Sequence, residues 1–422
     1  MSAFYYKENE LYCEDASLRE IAEEYGTPLY VYSRRQIVEN FHAVEASLDG
    51  VPHIVCYALK ANANPAILKL LSAEGAGADV VSAGELYLAL RGGFSPDRIV
   101  FAGVGKREDE IEYGLREKIH SFNVESVGEL QAISRCAVRM NARARVSLRI
   151  NPDIDAESHP YITTGLKESK FGIEASRAVE VYKLAKDHPG IDVAGVHVHI
   201  GSQVTKAEPF IETAKFVVGL VAQLRQEGID ISHVDFGGGF GVRYRNAIVH
   251  EALPKETMDD EKVASPDEIL GAVKPILKET GCTLWVEPGR CIVADTGVLL
   301  TQVLYTKENG VKKFLIVDAG MNDLLRPSLY QAYHQIVPLV IDTYEHDTMD
   351  VVGPICETGD FLARDRQMPK LKPGAVAAVM TAGAYGFVNA SNYNARLHPA
   401  EVLVNGDRVR IVRRRQTLEE LE

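Results

Sequence analysis

Between about residue 50 and about residue 290, short apolar runs alternate with longer amphipathic stretches. The runs His53–Ala58, Ala78–Val81, Arg98–Ala102, Ser121–Val124, Arg145–Ile150, Val193–Ile200, His233–Phe236 and Thr283–Val286 read as strands. The stretches Pro65–Glu74, Gly84–Leu90, Arg107–Leu115, Val127–Cys136, Arg177–Lys186, Phe210–Gln226 and Pro266–Glu279 read as helices. Eight strands with intervening helices in about 240 residues have the count and length of a (β/α)8 TIM barrel. The competitor, a doubly wound open sheet, carries a glycine fingerprint after its first strand, and none follows His53–Ala58.

Past about residue 295 the pattern changes to short β-rich segments: Val298–Leu304, Lys313–Val317, Leu339–Asp342, Ala375–Met380 and Glu401–Val404. Asn405-Gly406-Asp407 lies between Val402-Leu403-Val404 and Arg408–Ile411, and Asn-Gly supplies the positive φ angles of a tight hairpin turn. A C-terminal all-β domain is therefore expected. Glu10–Cys13 and Leu29–Tyr32 are also strand-like and are expected to complete it from the N-terminus. The predicted organisation is a barrel over residues 36–290 and a β-rich domain made of 1–35 and 291–422. Leu253–Ala264, charged and holding Pro254, reads as a surface insertion.

At 422 residues the chain is long enough for two cores. Its 46% hydrophobic and 25% charged residues are the balance of a globular protein, and no apolar run reaches bilayer-spanning length. The N-terminus has no basic segment followed by an apolar stretch, so the expected location is the cytoplasm. A net charge of −13 argues against a nucleic-acid partner and still allows an anionic ligand in a local positive pocket. The cysteines show no metal-ligand spacing; Cys13, Cys56, Cys136, Cys282 and Cys291 read as buried thiols.

Barrel proteins carry their chemistry at the C-terminal ends of the strands. Four features fall there. Lys60 follows the first strand directly, where a desolvated amine can attack a carbonyl, although a lysine snorkelling at the rim has the same spacing. In Val196-His197-Val198-His199 the histidines are two apart, a spacing that puts them on one face of a strand. They suit a metal pair, a ring lying flat on a planar cofactor, or two satisfied core histidines. Gly237-Gly238-Gly239 follows the seventh strand, the usual barrel phosphate site, and equally suits a tight turn. Glu287-Pro288-Gly289-Arg290 closes the eighth with a carboxylate for a ring nitrogen and a guanidinium fork, or with a surface turn. Together the four match a phosphorylated pyridine aldehyde, whereas a metal hydrolase leaves two of them without work.

These motifs, with Asp79–Glu85 and Ser202, resemble the barrel-type pyridoxal-phosphate decarboxylases of alanine-racemase-like fold. Leu325–Tyr330, Gly353–Asp360 and Gly383–Gly386 narrow the resemblance to the diaminopimelate decarboxylases, over nearly the whole chain.

The resemblance implies pyridoxal 5'-phosphate as cofactor, joined through Lys60, with His199 stacked on its ring and Glu287 at its nitrogen. It implies cofactor contacts from Asp79, Ser202, Gly239, Gly289, Arg290 and Tyr385. Substrate contacts are implied for Arg290, Arg326, Tyr330, Glu357 and Tyr385, with Cys356 as proton donor. Cys356 and Glu357 are expected to reach the site from the second subunit of a homodimer. The implied reaction turns meso-2,6-diaminopimelate into L-lysine and carbon dioxide, the last step of lysine biosynthesis. No metal is implied. Sister decarboxylases acting on arginine, ornithine or carboxynorspermidine-like substrates are the nearest alternative; a same-fold racemase, a pyridoxal-phosphate carrier and a metal hydrolase are more distant ones.

Overall fold

The computed structural model describes residues 2–155, 169–254 and 262–422. The chain forms two compact units, one of Phe41–Gly241 and Lys262–Cys291, the other of Met1–Asn40, Val242–Glu261 and Ile292–Glu422.

The first unit is the barrel. Its strands are β1 (His53–Ala58), β2 (Gly77–Val80), β3 (Ile99–Phe101), β4 (Ser121–Val124), β5 (Ala144–Asn151), β6 (Ile191–His197), β7 (His233–Asp235) and β8 (Thr283–Val286). Every neighbouring pair is parallel, and β8 returns to β1 through Leu284 opposite His53, which closes the ring. Closure leaves no exposed sheet edge and points the strand ends toward a common rim. The helices between the strands start at side-chain caps. Ser82, Ser126 and Ser265 each accept a hydrogen bond from the backbone N–H three residues on.

The barrel interior beneath the rim is plugged by aromatic and imidazole rings. Trp285 stacks on His120 at 4.0 Å between centroids, and His233 meets His120 edge-on at 4.9 Å. His233 Nε2 lies 2.7 Å from Ser147 Oγ. Burial pushes His120 down to about 4 and His233 to about 3, so both rings stay neutral and pack as aromatics. A Cβ on Gly195 would lie 2.3 Å from His233 Nε2, so this register position admits only glycine.

The second unit is β-rich. Leu29–Ser33 sits between Gly297–Asn309, antiparallel, and Ala400–Asn405, parallel, so the N-terminal strand does complete the C-terminal sheet. Glu10–Cys13 instead joins a separate three-stranded meander, tied on by the Leu11 N–H donating to Leu339 O at 2.8 Å. The expected hairpin forms, with Asn405 opposite Arg408 and Gly406 at φ +64°. Leu339–Asp342 is not a strand; the strand there is Ile336–Pro338. The antiparallel pair His346–Val352 and Phe361–Pro369 has no clear apolar alternation and is added by the structure. Leu253 is buried in this unit's core rather than lying on a surface insertion, and residues 255–261 of that segment lie outside the described residues. No described helix is long and apolar enough to cross a membrane.

Candidate active site

The barrel strands stop at one rim, and their last residues assemble a charged cluster. Lys60 stands in the single 3-10 turn Leu59–Ala61 that follows β1. Its Nζ lies 2.6 Å from Oδ2 of Asp79, near the end of β2, whose side chain is fully buried while that of Lys60 is one-third exposed. Burial and the negative charge of Glu287 raise Asp79, and Lys60 works against them. Lys60 is thus a rim amine held by a buried carboxylate, not a snorkelling side chain.

Glu287 follows β8 and is 3% exposed. Asn123 of β4 donates through Nδ2 to Glu287 Oε1 at 3.1 Å and to Asp235 Oδ2 of β7 at 2.9 Å. His197, the last residue of β6, places Nε2 3.5 Å from Glu287 Oε2. Burial opposes ionisation of Glu287, but the charge and hydrogen bonding of His197, then the charge of Lys60, hold it well below the usual carboxylate range. Burial beside charged Glu287 pushes Asp235 up to about 8. One carboxylate of the pair is therefore kept ionised and the other protonated.

The two histidines part company. The strand ends at His197, and His199 lies beyond it, where its Nδ1 accepts the Gly238 N–H at 3.1 Å. Burial and the charges of Arg149 and Lys60 hold His199 well below its ordinary value, so the ring is neutral. Among the described residues, His197, Asp235 and Glu287 bring donor atoms within 4.8 Å of one another, and His199 is not in that group. The H-x-H pair is thus not part of one three-donor cluster among the described residues.

Three glycines follow β7 because backbone crowds them. A Cβ on Gly238 would sit 2.1 Å from Glu287 O, and one on Gly239, at φ +94°, 2.1 Å from Gly201 O. Beside this loop Arg290 is buried, and its Nη2 donates to Ser202 Oγ at 2.9 Å. Gly289 is needed for close packing, since a Cβ there would lie 2.9 Å from Ala61 Cβ.

Sequence reasoning passed over Asn123, Glu125 and Arg149 and gave Asp235 no role. Arg149 Nη1 donates to Glu125 Oε1 at 2.8 Å, both side chains buried. Arg149 overcomes the burial penalty and lowers Glu125. The available signal was a charged residue interrupting the apolar run Val146–Ile150 near a strand end.

In the β-rich unit, Arg326 opens the short helix Arg326–Tyr330 and is buried. The Gly353–Asp360 loop is tied by Asp360, whose carboxylate accepts the Met321 N–H at 2.6 Å and the Ile355 N–H at 2.7 Å. On that loop Cys356 is exposed, whereas Cys13, Cys56, Cys136, Cys282 and Cys291 are buried. The Cys356 N–H donates to Asn394 Oδ1 at 2.7 Å, and Tyr393 OH donates to Glu357 Oε2 at 3.4 Å. Tyr385 adopts φ +56° in the turn Gly383–Gly386.

The rim of the barrel fits a phosphorylated pyridine aldehyde. It offers an amine with a counter-ion, an ionised buried carboxylate, a neutral imidazole and a glycine cradle beside a guanidinium. Residues 34–294 match the family model "Pyridoxal-dependent decarboxylase, pyridoxal binding domain". The chain is 48% identical to diaminopimelate decarboxylase of Pseudomonas aeruginosa, an alignment covering 100% of this chain and 98% of that protein. It superposes with TM-score 0.92 on the diaminopimelate decarboxylase of M. jannaschii in co-complex with L-lysine, at 38% identity and 100% and 98% coverage. The Helicobacter pylori enzyme complexed with L-lysine gives 0.89 at 42% identity, covering 96% and 98%.

These relationships and the rim chemistry define a pyridoxal-phosphate-dependent carboxy-lyase. The chain belongs to the diaminopimelate decarboxylase family.

Proposed function

We propose that this chain decarboxylates meso-2,6-diaminopimelate to L-lysine and carbon dioxide, the last step of lysine biosynthesis, in the cytoplasm. The observation that carries the reading is Lys60 Nζ held 2.6 Å from buried Asp79 on the rim that also presents ionised Glu287.

Lys60, its amine held by Asp79, is the residue that would carry the cofactor covalently. His199, neutral and braced by the Gly238 N–H, would stack on the cofactor ring. Glu287, held ionised although buried, would pair with a protonated ring nitrogen. Gly239 and the Glu287–Arg290 turn, Gly289 and Arg290 included, would hold the phosphate, and Asp79, Ser202 and Tyr385 would be further cofactor contacts. The bound cofactor supplies an electron sink for the pair left behind by carbon dioxide. Arg290, Arg326, Tyr330, Glu357 and Tyr385 bind the substrate, with an arginine for the carboxylate that is kept and Glu357 for the ammonium beside it. Cys356 returns a proton to the carbon that lost its carboxylate. Its exposure within one chain supports delivery, together with Glu357, to the other subunit of a homodimer. Residues 36–290 are read as the cofactor domain and 1–35 with 291–422 as the β-rich domain, a division supported by the compact units except that 36–40 and Val242–Glu261 go with the β-rich unit and Cys291 with the barrel.

The test is carbon dioxide release from a substrate panel. Turnover of meso-diaminopimelate far above ornithine and arginine is expected, and faster turnover of either rival overturns the assignment.

A further inference from the structure

We infer that His334 is a positioning residue for Arg326, holding its guanidinium ready for the carboxylate that remains on the product. The inference rests on the substrate role proposed above for Arg326.

The geometry determines how His334 is protonated. Arg326 Nη1 lies 2.7 Å from His334 Nε2. A guanidinium only donates, so Nε2 must be the acceptor. The ring proton then sits on Nδ1, which donates to Met380 O at 2.9 Å. His334 is fully buried, and its backbone O accepts from Arg366 Nη1 at 2.7 Å. Its orientation is thus set from both ends of the residue.

Arg326 is held in a second direction. Its guanidinium carbon lies 4.5 Å from the centroid of the Tyr244 ring. Tyr244 in turn meets the His334 imidazole edge-on, at 5.2 Å and 80°. The imidazole accepts one N–H of the guanidinium, and the guanidinium carbon lies over the phenol ring. A long side chain held this way has already lost its rotamer freedom before a ligand arrives, which is what preorganised recognition needs. The acceptor is also uncharged, so this bond fixes Arg326 without neutralising it, as a carboxylate partner would.

The chemistry identifies the ligand group. Decarboxylation at one centre leaves the ammonium and carboxylate of the other on L-lysine, and 1,5-diaminopentane is the same molecule without that carboxylate. The ratio of their dissociation constants therefore reads the carboxylate contact alone. Calorimetric titration of the holoenzyme with each compound is expected to show L-lysine binding tighter by about tenfold or more, the size of a hydrogen-bonded charge pair.

Two isopolar variants separate positioning from folding. In His334→Gln the amide reaches the place of Nε2 and still accepts from Arg326, so the ratio stays within about threefold of wild type. In His334→Asn the shorter side chain reaches only the place of Nδ1, keeping Met380 O and letting Arg326 go. There the ratio falls about tenfold, all of it in the L-lysine constant. If His334→Asn keeps the ratio while Arg326→Gln abolishes it, the role of His334 is refuted and the reading of Arg326 stands. If Arg326→Gln keeps the ratio, that reading itself fails, and the inference with it. Equal weakening of both ligands in His334→Asn marks a merely structural residue and also overturns the inference.

Discussion

His197 and Glu287 face each other across the barrel rim with Nε2 and Oε2 3.5 Å apart and both side chains almost wholly out of solvent. This pair prepares the carboxylate before any ligand binds, because a buried carboxylate otherwise takes up a proton. Replacing His197 by Phe removes the positive partner and lets burial raise Glu287. Cofactor affinity is expected to fall about tenfold, one pKa unit of differential interaction, measured by titrating apoenzyme with pyridoxal phosphate. An unchanged dissociation constant would separate His197 from the function of Glu287.

Lys60→Ala removes the amine that Asp79 holds at 2.6 Å on the rim. Turnover is expected to drop on the order of 10³-fold or more. Borohydride reduction of wild type followed by peptide mapping should label the peptide containing Lys60. Near-normal turnover of the variant is incompatible with covalent attachment there.

Asp235 gives a pH dependence whose sign follows from its shift. Its value is about 8 in the folded chain and about 3.9 in an unfolded one. Between these the folded state binds the extra proton, so the stabilisation is complete below the lower value and disappears as pH rises through about 8. Apoprotein unfolding free energy should therefore decline with rising pH, by at most about 1.4 kcal/mol per pH unit from this group. Asp235→Asn should flatten that decline in urea titrations at several pH values. Parallel wild-type and variant profiles would show that Asp235 does not hold the proton.

Cys356→Ala leaves the rim of the barrel untouched and removes the proposed acid. The expected outcome is full cofactor content with turnover lowered about 10²- to 10⁴-fold. Mixing Lys60→Ala with Cys356→Ala chains should restore part of the activity if each site takes its thiol from the other subunit. Absence of any recovery would assign the thiol to its own chain.

Gly195→Ala tests the packed floor rather than the chemistry. The added methyl meets His233 Nε2 at 2.3 Å and Ser147 Oγ at 2.5 Å, and His233 is itself wedged against His120 and Trp285. A loss of about 1–3 kcal/mol is expected from denaturant unfolding, as for other overpacked cores. A neutral result would mean the floor yields easily.

Much of the barrel was legible because apolar periodicity is a local property. β1, β4 and β8 begin and end where the apolar runs do. The hairpin at Asn405-Gly406-Asp407 was legible for the same reason, since a tight turn is chosen by its own residues. The pairing of His346–Val352 with Phe361–Pro369 was not, because charges interrupt both strands and neither shows a clean two-residue period. The choice among the H-x-H readings was not legible, because β6 stops at His197 and alternation no longer governs His199.

By itself the sequence determined most of the barrel strands and several of the reactive side chains at their ends. Lys60, Gly237–Gly239 and Glu287 follow directly on apolar runs, and that order survives any packing of the chain. Only the tertiary structure decided which of those side chains carry charge. Asn123, His197, Asp235 and Glu287 come from four separate strand ends, and only the closed ring brings them together. Burial there leaves no water to share the charge, so partner distances of a few ångströms determine which group holds a proton and which does not.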